Sequence, residues 1–140
     1  MAGDWSPWVP ILKVADARAS AAFYCDVLGF QLDWEHQFGE GFPLYMQVSR
    51  DPLFLHLSEH SGGIAEGDFF VRVPDVDAVY GEIVERGHQP PSAPIDQEYG
   101  MRDFRVVDPD GHNITLGSVA DFPTELHVEP GSEEGSDDDE

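Results

Sequence analysis

The fold is decided by "KVADARASAAFYCDVLGF" (residues 13–30) and "RVPDVDAVYGEIVERGHQ" (residues 72–89), two stretches that follow one plan. Each runs from an apolar strand end through an Asp and a helical pattern to a Gly. The first Asp after each strand end recurs at an offset of 59 positions, and the same offset separates "LHLS" (55–58) from "ITLG" (114–117). An offset held across segments this far apart indicates two copies of one supersecondary unit.

Each copy predicts one helix with a polar cap at its start and a glycine at its end. Asp16 and Asp75 are the predicted N-caps, because a carboxylate accepts hydrogen bonds from the unpaired N–H groups of a first turn. Gly29 and Gly87 are the predicted stops, since glycine adopts the left-handed conformation that ends many helices. In the first helix the side chains expected to face inward are Ala19, Phe23 and Val27. In the second they are Val76, Val79, Tyr80, Ile83 and Val84, at i, i+3, i+4, i+7 and i+8.

Three strands are predicted after each helix. They span about 31–37, 44–49 and 53–58 in the first copy, and about 88–90, 102–107 and 113–117 in the second. The "DPDG" segment (108–111) predicts a tight turn. With one strand before each helix, the chain predicts an α+β fold of tandem βαβββ modules, about 9–60 and 67–118, in one domain over 1–122. Each helix covers one face of a curved sheet, and the other face is free to line a cleft.

The charge balance excludes one class of function. The chain has 28 acidic and 7 basic residues, a net charge of −21, and its single lysine is Lys13. Phosphate contacts need a basic face, so nucleic acid is not an expected partner. Two interpretations of the acidity stay open: a halophilic adaptation to high salt, and attraction of a cationic ligand. We favour the first for the bulk charge, and the second can hold locally.

The C-terminal segment indicates the domain organisation, and the cysteine content indicates the cellular compartment. Residues 123–140 are polar and strongly acidic, which predicts a disordered tail. The single cysteine, Cys25, cannot form an internal disulfide and falls in a helical pattern, which predicts a buried structural thiol. The sequence shows neither a run of about 18 apolar residues nor the pattern of a signal peptide. We therefore expect a cytoplasmic protein with no membrane partner.

The strand phase predicts which side chains line the free faces. Leu53, Leu55 and Leu57 alternate with polar and aromatic side chains, so we expect the leucines to face the core. The predicted ligand-binding residues are Phe54, His56, Ser58, Asp68, Phe70 and Arg72, together with Trp34, Tyr99 and Arg102. Aromatic rings near a cleft can stack on planar ligands, and packing in a dimer interface is the alternative. For His56 a structural role, a ligand contact and a metal ligand all stay open.

These stretches resemble the vicinal oxygen chelate superfamily, which includes glyoxalase I, fosfomycin resistance proteins, extradiol dioxygenases and bleomycin resistance proteins. The resemblance is carried by "PILKVADARASAAFYCDVLGF" (10–30), "LFLHLSEH" (53–60), "FFVRVPDVDAVYGEIVERG" (69–87) and "YGMRDFRVVDPDGHNITLG" (99–117). It is closest to the bleomycin-resistance-like branch in "DWEHQF" (33–38), "PLYMQVSR" (43–50) and "LHLSEH" (55–60). The resemblance implies a homodimer whose clefts are built from the sheets of two modules.

The resemblance also supplies a test for metal chemistry. Metal-dependent members place their ligands at four strand positions, which correspond here to Val9, His56, Asp68 and Thr115. Valine and threonine are poor ligands for a divalent metal, so we expect no metal, no cofactor and no catalytic residue. The implied function is sequestration of a small ligand, cationic and aromatic, without chemistry.

The alternative function is a glyoxalase-type metal-dependent lyase, isomerase or dioxygenase. It would use His56 with ligands outside the usual pattern: His36, Glu59, His60 or Asp68. A fosfomycin-type transferase is a third interpretation, which we disfavour because it needs both a metal and a basic site for a phosphonate.

Overall fold

The computed structural model describes residues 5–120, which form two helices and two four-stranded sheets. In chain order the elements are β1 (Ile11–Lys13), α1 (Ala17–Leu28), β2 (Gln31–Gln37), β3 (Leu44–Arg50), β4 (Leu53–Ser58), β5 (Asp68–Arg72), α2 (Val76–Glu85), β6 (Ile95–Asp96), β7 (Met101–Val107) and β8 (Asn113–Val119). The sheet orders are β1-β4-β3-β2 and β5-β8-β7-β6. The two parallel pairs are β1 with β4 and β5 with β8, which are the first and last strands of each module along the chain. All other pairs are antiparallel. The predicted α+β fold of tandem βαβββ modules is confirmed.

The duplication is visible in the strand register. Ile11 is opposite His56 in the first sheet, and Phe70 is opposite Thr115 in the second. The second pair lies 59 positions after the first. The repeated offset of the sequence therefore marks equivalent positions in two copies of one strand pairing.

Both predicted helix caps are present. The Asp16 carboxylate accepts a hydrogen bond from the Ala19 N–H at 3.1 Å, and one oxygen of Asp75 accepts from the N–H groups of Asp77 and Ala78. Gly29 ends α1 with φ at 73°. After α2, Gly87 has φ at 94°. These positive φ values are the reason that glycine is required at both stops.

The buried side of α1 agrees with the predicted one only in part: Phe23 and Val27 are partly buried and pack against the core as predicted. Ala19 is exposed, and the buried residues are Ala17, Ser20, Ala21, Tyr24 and Leu28. Two of these residues have hydroxyls, which can be buried because the other module supplies their hydrogen-bond acceptors. Ser20 donates to Asp110 at 3.1 Å, and Tyr24 donates to Asp108 at 2.7 Å. Apolar periodicity could not predict a face that is buried through hydrogen bonds to a distant turn.

The predicted strand at 88–90 is wrong, and its place in the second sheet is taken by β6. The N–H of His88 still donates back to the carbonyl of Ile83, so this residue belongs to the helix end. Pro90 and Pro91 follow and have no N–H to offer a neighbouring strand. The connection between α2 and β7 thus contains the two-residue edge strand β6.

The two modules share one core and are joined by buried polar contacts. The core contains both helices and the sheet faces beneath them, with Leu12, Val48, Leu57, Ile83 and Val106 among its buried residues. The ring of buried His112 links the modules, because its Nε2 lies 2.9 Å from the Lys13 carbonyl of the first module. Its Nδ1 accepts from the Gly67 N–H, within the second module, at 2.8 Å. In consequence each sheet has one face in the common core and one face directed away from it.

Neither helix within residues 5–120 is long and apolar enough to cross a membrane. The predicted acidic tail, 123–140, lies outside the described residues.

Candidate ligand-binding site

The free face of the first sheet carries a cluster of three rings from three strands, which we name the aromatic cluster: Trp34, Tyr45 and His56. Trp34 and Tyr45 lie nearly parallel, with ring centroids 6.0 Å apart. The imidazole of His56 meets both at steep angles, 5.4 Å from Trp34 and 5.1 Å from Tyr45. Trp34 is 41% exposed, so a broad ring surface is open to a ligand.

Both ring nitrogens of His56 have hydrogen-bond partners within the sheet. Nδ1 lies 2.8 Å from the Tyr45 hydroxyl, and Nε2 lies 3.0 Å from Oε1 of Gln47. Gln47 donates through its Nε2 to Asp33 at 2.9 Å, so its Oε1 is the acceptor for His56. This fixes the neutral tautomer of His56 with the proton on Nε2 and with Tyr45 donating to Nδ1.

The pKa directions agree with this chain of hydrogen bonds. Burial lowers the pKa of His56 and raises the pKa of the Tyr45 phenol, which keeps the imidazole neutral and the hydroxyl protonated. The hydrogen bond from Gln47 lowers the pKa of Asp33 at the far end. His56 is therefore a hydrogen-bonded member of a network on the free face, with a partner at each ring nitrogen.

The aromatic cluster continues toward the end of the sheet that carries the β2–β3 connection. The His36 and Phe38 ring centroids are 4.5 Å apart, and Phe38 lies 6.2 Å from His60. Phe38 is 72% exposed. The sequence did not single out Phe38 or Tyr45, although Tyr45 alternates with buried residues in β3 and that alternation was a usable signal.

Of the remaining predicted residues of β4, one is buried and one lies beside a groove. Ser58 is only 3% exposed, and its hydroxyl accepts from the N–H of His60. Phe54 lines a groove of about 500 Å³ between the two modules. Phe70 and Arg72 of the second sheet line the same groove, so the structure brings these three predicted residues together.

The free face of the second sheet places Asp68, Phe70 and Arg72 on one side of β5. The Phe70 ring lies over Gly117, where an added Cβ would be 2.8 Å from the ring, and 51% of Phe70 is exposed. A side chain at position 117 would displace the ring, so the glycine is what lets Phe70 lie against this face.

Tyr99 reaches the same face through a buried carboxylate that the sequence did not reveal. Asp103 is opposite Gly117 and is 6% exposed. Its two oxygens accept hydrogen bonds from the Tyr99 hydroxyl and from Gln97. The bond to Asp103 raises the pKa of Tyr99.

Arg102 is not brought to this face. Its strand partner is Ser118, whose hydroxyl accepts from the first N–H of α2, so Arg102 lies on the helix side. It forms ion pairs with Asp77 at 3.0 Å and with Asp96 at 3.3 Å.

The four positions that hold metal in related enzymes do not form a ligand set here. His56 would have to release Tyr45 or Gln47 to bind a cation through either nitrogen. Glu59, a candidate partner, uses both oxygens to accept backbone N–H groups of Ala17 and Leu44. Within residues 5–120 no group of three or more His, Cys, Asp or Glu side chains is arranged to hold a metal ion.

Comparison with known proteins agrees with the observed fold. The family described as glyoxalase superfamily protein matches residues 4–121, and the chain belongs to this superfamily. Within it, the chain lies in the bleomycin-resistance-like branch. The bleomycin resistance protein of Geobacillus stearothermophilus is 30% identical over 125 residues, covering 77% of this chain and 92% of that protein.

Two solved structures of this branch have the same fold. A bleomycin-binding protein complexed with bleomycin has a TM-score of 0.65 at 27% identity, covering 83% of this chain and 100% of that one. The bleomycin resistance determinant encoded on transposon Tn5 has a TM-score of 0.65 at 26% identity, covering 82% of this chain and 98% of that one.

Proposed function

We propose that the protein binds a small, planar aromatic molecule on the free face of its first sheet and sequesters it without chemistry. The observation that carries the proposal is the aromatic cluster: an exposed Trp34 ring whose position is fixed by Tyr45 and by the hydrogen-bonded His56. A rigid aromatic surface favours stacking because little side-chain entropy is lost on binding.

The geometry supports binding over catalysis. A metal-dependent mechanism needs at least one open protein ligand, and a general base needs a nitrogen that is free to take a proton. His56 offers neither while Tyr45 and Gln47 occupy its ring nitrogens. The relatives named for bleomycin resistance and bleomycin binding support the same class of function.

Two finer features complete the proposal. The net charge of −21 favours a ligand with overall positive charge, since the field of the protein attracts cations at low ionic strength. Because the free faces are directed away from the shared core, we infer that a second copy completes the cleft, in a two-fold homodimer.

The test is fluorescence titration with a bleomycin-type glycopeptide, using Trp34→Ala and the control Phe42→Ala. Phe42 is an exposed aromatic residue in the β2–β3 connection, outside the aromatic cluster. We expect Trp34→Ala to weaken binding by about tenfold, since stacking on one ring is worth roughly 0.5–1.5 kcal/mol beyond the lost contact area. Equal affinities for the wild type, Trp34→Ala and Phe42→Ala would contradict the proposed site.

A further inference from the structure

The seven basic side chains fall into two groups. Four of them, Arg18, Arg50, Arg86 and Arg102, form ion pairs with carboxylates at 2.9–3.3 Å. The other three, Lys13, Arg72 and Arg105, form no ion pair with any residue in the described range 5–120. In a protein with 28 acidic residues, such cations need an explanation.

All three lie on the free faces of the sheets. Lys13 is opposite Ser58, two residues along β1 from the position opposite His56. Arg72 is opposite Gly117, and Arg105 is opposite Thr115. Lys13 and Arg72 are also 59 positions apart, so they occupy the same place in the two modules.

Each of the two equivalent cations has aromatic neighbours on its own face. Lys13, Ser58 and Tyr45 form one row across three strands, and Ser58 is small and buried between the other two. Arg72 is two residues from Phe70 on β5, and both line the groove that Phe54 of the first sheet also lines. Each face thus combines an exposed ring, Trp34 or Phe70, with at least one exposed cation.

The carboxylates on these faces do not neutralise the two cations. Asp33 accepts from the amides of Gln31 and Gln47, and Asp103 accepts from Tyr99 and Gln97. Asp68 lies at the opposite end of β5 from Arg72, about 13 Å away at the usual rise of a strand.

We propose that Lys13 and Arg72 form equivalent anion-binding positions, and that the ligand carries an acidic group (carboxylate, sulfonate or phosphate) close to its ring system. This inference rests on the proposed function and specifies its ligand. An acidic group beside the rings is compatible with a ligand of net positive charge. The long-range field of the acidic protein acts on the total charge of the ligand, whereas Lys13 and Arg72 act only on the group in contact with them. Near 1 M salt, where the screening length is about 3 Å, mainly the contacts remain.

The experiment uses two probes that share one ring system, 1-anilinonaphthalene-8-sulfonate and the uncharged N-phenyl-1-naphthylamine. Their affinities are measured by fluorescence in about 1 M salt for the wild type, Lys13→Gln, Arg72→Gln and the double variant. Arg18→Gln is the matched control, because Arg18 is exposed on α1 and paired with Glu35. Circular dichroism verifies that each variant is folded.

We expect each of the two single variants to weaken sulfonate binding by about fivefold to tenfold, as for loss of one charge-assisted hydrogen bond. Binding of the uncharged probe should change by less than about twofold, and Arg18→Gln should leave both probes unaffected. Equal losses for both probes, or no loss in the double variant, would overturn the inference.

A further variant separates this inference from the proposed function. If Trp34→Ala weakens both probes while the Lys13 and Arg72 variants change neither, the aromatic site stands and the anion positions are wrong. If neither probe binds, or if Trp34→Ala leaves the affinities of both probes unchanged, the proposed site itself is wrong and the inference is overturned with it.

Discussion

At the scale of the residue, His56 shows what sequence reasoning can and cannot reach. The alternation of β4 places it on the free face, and the structure agrees. Its partners Tyr45 and Gln47 lie on another strand, so their identity depends on the β3–β4 register. The position of Trp34 depends further on an irregularity in β2 between Leu32 and Trp34, for which the sequence gives no local signal.

The lowered pKa of His56 predicts a pH dependence of stability. Burial holds the folded-state pKa below the ordinary 6.5. As the pH falls below about 6.5, the unfolded chain takes up a proton that the folded chain does not. The contribution of His56 to the free energy of unfolding is therefore complete above this pH and decreases as the pH falls toward the folded-state pKa.

The measurement is an NMR titration of the His56 ring, with urea unfolding of the wild type and His56→Gln at several pH values. We expect a midpoint below 6.5 and a smaller loss of stability on acidification in His56→Gln. A midpoint above 6.5 would mean that the folded protein stabilises the charged ring, contrary to the effect of burial.

At the scale of the element, strong local signals were sufficient for most of the fold. The N-caps Asp16 and Asp75 were predictable because a carboxylate directly before a helical pattern is a local signal. The bounds of β2 and β4 match the predicted ones. The two-residue β6 has no periodicity to detect, because its pairing is created by β7. The buried hydroxyl of Tyr24 likewise depends on Asp108, 84 positions away.

The caps predict measurable losses of stability. Asp75→Ala should lower the free energy of unfolding by about 1 kcal/mol, within the usual range of roughly 0.5–2, because two N–H groups lose their acceptor. Asp16→Ala should behave similarly. The control is Asp26→Ala near the C-terminal end of α1, where a carboxylate opposes the helix dipole and its loss should be neutral or slightly stabilising. Equal values for the Asp75 and Asp26 variants in urea denaturation would contradict the capping role.

At the scale of the whole molecule, the architecture separates stability from binding. Buried polar groups such as Asp108 and His112 hold the two modules against one core, while the aromatic rings and the cations that form no ion pair within residues 5–120 lie on the opposite sheet faces. The sequence predicted these faces through the repeat and the strand phase. It could not predict how the modules join, because that depends on contacts between residues 84 to 99 positions apart.

The central claim is that the protein sequesters an aromatic ligand unchanged, and native mass spectrometry of the protein with a bleomycin-type glycopeptide tests it most directly. One spectrum reports the number of chains, the number of bound molecules and the mass of each ligand. We predict two chains carrying two ligands of unaltered mass, with the bound fraction strongly reduced in Trp34→Ala. A ligand of altered mass after incubation, or equal occupancy in Trp34→Ala, would contradict the account.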